Sequence, residues 1–109
     1  MANKKANGNT YKGVSIDTAP AAAGYWSDAV KATDHRVGKI YLSIRGTFSG
    51  TVTLQFRAAP DSDWTAYDTY TAVTRQIIED YAETEWRAGV ASGGYTSGTI
   101  KIGIDYNNG

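Results

Sequence analysis

The only histidine, His35, stands beside Asp34 in the polar run Thr33-Asp-His-Arg36. A general base needs a partner that orients it and a nucleophile within reach. Asp34 is merely its chain neighbour, and there is no Gly-x-Ser-x-Gly turn. With one histidine and no cysteine, a transition-metal site would have to be built from carboxylates. Two oxygen-rich segments exist: Asp61-Ser-Asp63, and Glu79-Asp80 with Glu83 and Glu85. Neither has the spaced aspartates, glycine and distal glutamate of a calcium loop, so both read as solvated turns. Glycosidase chemistry needs two carboxylates facing each other at roughly 5–10 Å, and nothing in the spacing pairs any here. Gly93-Gly94 and the Gly46/Gly50 pair lack the following helix of a phosphate-binding loop and read as hairpin glycines. The expectation is a protein that is not an enzyme and holds no metal or cofactor.

Binding chemistry is better represented. The chain has eight tyrosines in 109 residues. Tyr67, Tyr81, Tyr95 and Tyr106 fall in loops or on polar faces, where a ring with a hydroxyl suits an interface or stacking on a sugar. They are candidate contacts between copies or with a surface. A second candidate group lies near the N-terminus: Lys4, Lys5, Tyr11, Lys12, Val14 and Ile16. Val14 and Ile16 alternate and could add a strand to an exposed sheet edge, where backbone hydrogen bonds supply affinity.

Charge is unevenly spread, although the formal net charge is zero. Residues 1–45 hold seven Lys/Arg and three Asp/Glu, a surplus of four positive charges. Residues 46–109 hold four and eight, a surplus of four negative charges. Opposite charges steer association and fix register. Lys4-Lys5 is the only basic pair and no Lys/Arg stripe with interleaved aromatics follows it, so no nucleic-acid partner is expected. No run approaches the roughly 18 apolar residues of a membrane span. The N-terminal lysines are not followed by an apolar stretch, so no secretory signal is expected and the chain is read as made in a host cytoplasm.

The elements that must carry these residues are strands. In Gly50-Thr-Val-Thr-Leu-Gln-Phe-Arg-Ala58, apolar Val52, Leu54, Phe56 and Ala58 alternate with Thr51, Thr53, Gln55 and Arg57. A period of two places one set on each face of a strand. Residues 39–44 and 99–104 repeat the pattern. Further strands are expected over 25–30, 64–70, 72–78 and 86–91. Glycines 46 and 50 are expected at positive φ in a tight connection. About seven strands at 8–12-residue spacing predict an all-β fold, a small antiparallel β-sandwich over 25–109. Residues 1–24, with the linker-like run Thr18-Ala-Pro-Ala-Ala-Ala-Gly24, predict an extended N-terminal arm that docks on a neighbouring copy or another protein. Its removal is then expected to leave the body folded. The expected core is Trp26, Ile40, Leu42, Ile44, Val52, Leu54, Phe56, Trp64, Trp86, Val90, Ile100, Ile102 and Ile104.

The run Gly46-Thr-Phe-Ser-Gly-Thr-Val-Thr-Leu-Gln-Phe-Arg57, then Trp64, Asp68-Thr-Tyr-Thr71, Glu85-Trp-Arg-Ala-Gly-Val90 and Gly93-Gly-Tyr-Thr-Ser-Gly98, resembles small β-sandwich structural proteins of tailed bacteriophages. The likeness covers about residues 37–104 and departs at Pro60-Asp-Ser-Asp63, where an Asp-Gly-Gly turn often stands. It implies a virion protein, a late product that works as a capsid decoration (cement) protein, with the major capsid protein as partner and a homotrimer as the working form. It transfers no catalytic residue. The alternatives are a tail or fibre module, or a lectin-like domain, binding a cell-surface carbohydrate.

Overall fold

The computed structural model describes residues 10–20, 22–31, 38–58, 63–80 and 84–107. The strands are β1 (Thr10–Ile16), β2 (Tyr25–Trp26), β3 (Val30–Lys31), β4 (Gly38–Arg45), β5 (Phe48–Gly50), β6 (Val52–Arg57), β7 (Thr65–Tyr70), β8 (Thr74–Asp80), β9 (Glu85–Val90), β10 (Tyr95–Gly98) and β11 (Ile100–Asn107). All pairings are antiparallel. One sheet has the order β1-β11-β4-β8; the other runs β2-β9-β6-β7, with β3 also on β9. β10 and β5 form a separate ribbon. The fold is all-β and compatible with a small β-sandwich, with more strands than the seven expected.

The extra strands have identifiable origins. The stretch expected as one strand over 25–30 divides into β2 and β3 around Ser27. Its hydroxyl, buried, accepts from the Ala88 amide at 3.1 Å, and its own amide donates to the Ala88 carbonyl at 2.8 Å. The connection over 46–50 and the hairpin over 92–98 pair with each other as β5 and β10. Gly46 and Gly50 take positive φ there, +102° and +156°, as expected. The C-terminal tail continues β11 as far as Asn107.

Register and burial agree on which residues form the core. Ile40, Leu42 and Ile44 of β4 face inward with Ile100, Ile102 and Ile104 of β11. From the second sheet come Val52, Leu54, Trp86, Ala88 and Val90. Ile16, Val30 and Ile78 complete the buried set. The adjacent pair Ile77 and Ile78 is resolved by register: Ile78 points inward at 7% exposure, and Ile77 points out at 57%. Trp26 and Trp64 are a correction to the expected core. Both are half-buried and lie on the outer face of the second sheet.

The arm is also corrected. Residues 10–16 do not leave the domain: β1 pairs residue for residue with β11, from Thr10↔Tyr106 to Ile16↔Ile100. Ile16 is 1% exposed and Val14 packs on the core. An edge strand was the right kind of element, but its partner is the chain's own sheet. Pairing within one chain avoids the translational and rotational cost of association, so the tethered edge wins. Lys12 falls on the inward side of this edge strand, half-exposed. A charge there discourages another strand from extending the sheet.

Candidate functional site

The outward residues of the four-stranded sheet follow from its register. One row across the strands reads Ser15, Lys101, Arg45; the next reads Gly13, Gly103, Ser43, Arg75; the third includes Asp105, Tyr41 and Ile77; and Lys39 opposes Glu79 beyond it. Lys101 and Arg45 are direct cross-strand partners, and like charges placed so repel. In this register neither they nor Arg75 faces a carboxylate. Gly103 is covered by its surroundings. Two shallow recesses flank it. One of about 320 Å³ is bordered by Gly13, Ser15, Arg45 and Lys101. The other, about 350 Å³, lies among Tyr41, Ser43, Arg75 and Ile77. Tyr41 and Ile77 are large apolar side chains left in solvent, and so is Val73, which precedes β8. The cations Arg45, Lys101 and Arg75 occupy the first two rows, Tyr41 and Ile77 the third, and Lys39 with Glu79 the last.

The outer face of the second sheet is built differently. The Arg87 guanidinium lies 4.4 Å from the ring centres of both Trp26 and Trp64, and Arg57 lies 4.4 Å over Trp64. Each such contact contributes about 0.5–1 kcal/mol at a partly exposed position. Arg87 Nε donates to Gln55 Oε1 at 2.8 Å, and Arg57 Nε donates to Glu85 Oε1 at 2.7 Å. Burial first, and the neighbouring Arg57 charge second, hold the Arg87 pKa below the ordinary arginine value. Two local devices seat Trp26. Gly24 turns the chain at φ +83°, and the indole N–H donates to the Ala23 carbonyl at 2.7 Å. Its ring lies against Gly89, where any Cβ would run into the Tyr25 carbonyl and the Trp26 backbone. The cations of this face are already engaged by rings and polar partners.

A third feature opens at the margin between the sheets. Opposite Leu54 and Gln55 on β6 stand Asp68 and Ala66 of β7, so Tyr67 is the extra residue of a β-bulge. A bulge shifts the alternation and re-aims a side chain. Trp64 and Tyr70 therefore serve different faces, although strict alternation puts them on one. Tyr67, 49% exposed, reaches Trp86 (ring centres 5.2 Å apart, 72° between planes) and Phe56 (6.3 Å, 82°). Phe56 and Trp86 stack at a tilt, 5.5 Å apart. These three rings, with Ile78, Glu79 and Thr84, line a recess of about 250 Å³.

The candidates from the sequence are distributed as follows. Lys12, Val14 and Ile16 belong to β1, and Tyr11 and Tyr106 are strand residues paired in backbone register with Asp105 and Ile40. Tyr67 borders the marginal recess. Tyr95 is a correction: it packs on the core, and its hydroxyl lies 2.9 Å from the Asp17 carbonyl and 2.8 Å from that of Gly98. It ties the ribbon to the segment after β1 and is not a free surface contact. Lys4, Lys5, Asp34, His35, Asp61, Tyr81 and Glu83 lie outside the described residues. Among the described residues no group of three His, Asp or Glu could hold a metal ion. Among the described residues no helix is long and apolar enough to cross a membrane. Comparison with known protein families, curated proteins and solved structures found no match to this chain.

Proposed function

We propose that this chain is a structural protein of a bacteriophage virion, a capsid decoration protein that binds the shell without covalent chemistry and reinforces it. Its partner in this reading is the major capsid protein and its working form a homotrimer. The observation that supports the reading best is the outer face of the β1-β11-β4-β8 sheet. Arg45, Lys101 and Arg75 lie there without registered carboxylates, beside exposed Tyr41, Ile77 and Val73. Interfaces favour aromatics and arginine in this way, and exposed cations steer docking on an acidic partner.

The test is co-sedimentation with capsids that lack this protein, read together with native mass spectrometry of the free chain. Arg45→Glu with Lys101→Glu should abolish capsid binding while circular dichroism stays unchanged. Wild-type binding should weaken as salt rises, because exposed charges are screened beyond roughly 10 Å at 0.1 M. Unaltered binding by the charge-reversed chain would remove this face from the proposal. Failure of the wild type to bind any capsid would remove the function.

A further inference from the structure

An open sheet edge is a template for another strand, and folds guard such edges with lysine, proline, bulges or short strands. Among the described residues, three of the four edges of the two large sheets carry a guard. β1 has Lys12 on its inward side. β7 has the bulge at Tyr67. β2 and β3, which share the outer side of β9, are two residues each. β8 has none of these. It is seven residues long, has neither lysine nor proline, and keeps an unbroken register with β4 from Thr74 to Asp80. No described strand pairs with its other side.

The outward residues of β8 are Arg75, Ile77 and Glu79, all exposed. Ile77, 57% exposed, lies beside Tyr41. Arg75 shares its row with Ser43, Gly103 and Gly13 and faces no carboxylate there. Along the strand the order is cation, isoleucine, anion; read in reverse it is anion, isoleucine, cation. Two copies of β8 laid antiparallel about a two-fold axis at Ile77 therefore set Ile77 against Ile77, and Arg75 of each copy against Glu79 of the other. Directly opposed residues of an antiparallel pair share a face, so these contacts all fall on the outer side of one continuous sheet. Opposite charges so placed attract, and the two isoleucines cover each other. Sliding the copies by two residues sets Ile77 against Arg75 or against Glu79 instead. A parallel pairing in register would set Arg75 against Arg75. Charge and apolar pattern together select the antiparallel self-pairing.

We propose that β8 is a self-association edge, through which two copies of this chain join their β1-β11-β4-β8 sheets with Ile77 at the axis. The backbone groups of the free edge supply the hydrogen bonds, and Arg75, Ile77 and Glu79 fix the register. An isologous contact closes at two copies, so it is a different surface from one that would build the trimer of the decoration reading, on which it does not rest. β8 offers seven residues where a stable complex uses roughly 20–30 a side, so the dimer should be weak, with Kd on the order of 0.1 mM.

Sedimentation equilibrium of the full chain, without any capsid, tests it: at about 1 mM, tenfold above that Kd, the dimer should predominate. Ile77→Lys, at an exposed position, should raise Kd about tenfold or more. Arg75→Glu and Glu79→Arg should each be monomeric alone, because each sets like charges opposite one another twice. An equimolar mixture of the two should recover the dimer, since every opposed pair is then complementary. Circular dichroism checks that each variant is folded. The chain has no cysteine, so Ile77→Cys should oxidise to a covalent dimer, its opposed Cα atoms about 4.5–5.5 Å apart, whereas Val73→Cys, also exposed, should not. The proposal is overturned if the wild type stays monomeric at that concentration, if Ile77→Lys and the charge variants self-associate like the wild type, or if Ile77→Cys cross-links no faster than Val73→Cys.

Discussion

Replacing Ile16 by Ala tests whether the N-terminal segment belongs to this domain. Ile16 is 1% exposed and lies opposite Ile100, itself fully buried, at the end of β1. β1 also touches β2 and β3 of the other sheet, so the side chain fills space between the layers. Truncating a buried Ile to Ala costs about 2–5 kcal/mol, combining lost transfer free energy with the cavity left behind. Whole-domain stability is about 5–15 kcal/mol, so this is a large share. Each kcal/mol moves Tm by roughly 4–8 °C in a domain near this size, and the lower end of the range lowers Tm by about 8 °C or more. Thermal and urea unfolding followed by circular dichroism measure the change. The experiment should be run on dilute protein shown by native mass spectrometry to be monomeric, because the Tm of a trimer depends on concentration whichever sheet β1 joins. A loss within ±0.5 kcal/mol in the monomer would refute the assignment of β1 to its own sheet.

Three further outcomes are expected. Gly89→Ala should lose about 3 kcal/mol or more, because the new Cβ meets backbone of Tyr25 and Trp26 and must displace β2 from β9; urea denaturation and indole fluorescence report it. Arg87→Ala should cost about 1.5–3.5 kcal/mol, the sum expected for two ring contacts and the Gln55 hydrogen bond, and Arg87→Lys should recover less than half because an ammonium lacks the flat guanidinium; chemical denaturation of both variants measures the gap. Tyr70→Phe should be neutral or stabilising by up to about 1–3 kcal/mol, because the hydroxyl is buried without a hydrogen-bond partner among the described residues. The same variant carries a pH signature. Burial first, then Asp68 and Tyr67, raise the Tyr70 pKa in the folded state, so its contribution is complete below the ordinary tyrosine value near 10 and is lost as pH rises through the higher folded value. Stability of the wild type should therefore fall on the alkaline side of about pH 10, and Tyr70→Phe should fall less; equal slopes would exclude Tyr70 as a source.

The strict alternation in β4, β6 and β11 made their facing legible from the residues alone, because a one-residue slip would turn every isoleucine of β4 or β11 outward. Ile40, Leu42, Ile44, Val52, Leu54, Ile100, Ile102 and Ile104 are buried as that pattern requires. Tryptophan misled it. Its size argues for burial, yet Trp26 and Trp64 spend their faces on guanidinium groups, and pairing of aromatic with arginine across three strands leaves no local signature. Ile16, Val30 and Ile78 were missed for a related reason. Each sits in a short or ambiguous stretch whose partner strand, not its own neighbours, decides which way it points. The recess was only partly legible. Tyr67 was singled out as an excess tyrosine, but its convergence with Phe56, Ile78 and Trp86 depends on a bulge and on two different sheets. Nothing in the spacing of residues 56, 67, 78 and 86 announces it.

The two outer faces carry the same kinds of residue and put them to opposite uses. On the β9-β6-β7 side, Arg87 lies against two rings and Arg57 against one, and their polar ends meet Gln55 and Glu85. A cation held that way keeps its side-chain entropy low and its charge compensated, so it adds rigidity and has little left for a partner. On the β11-β4-β8 side, Lys101, Arg45 and Arg75 face one another, serines and glycines. Repulsion between direct cross-strand cations costs stability in the isolated chain. In the decoration reading proposed above, a carboxylate brought by the partner would relieve it, so the gain on binding would include the relief of that repulsion as well as the new attraction. Charge reversal at Lys101 alone should then stabilise the free protein slightly while it weakens capsid binding. Opposite signs in those two measurements separate a binding face from a merely solvated one, for which Lys101→Glu would change stability and leave binding untouched.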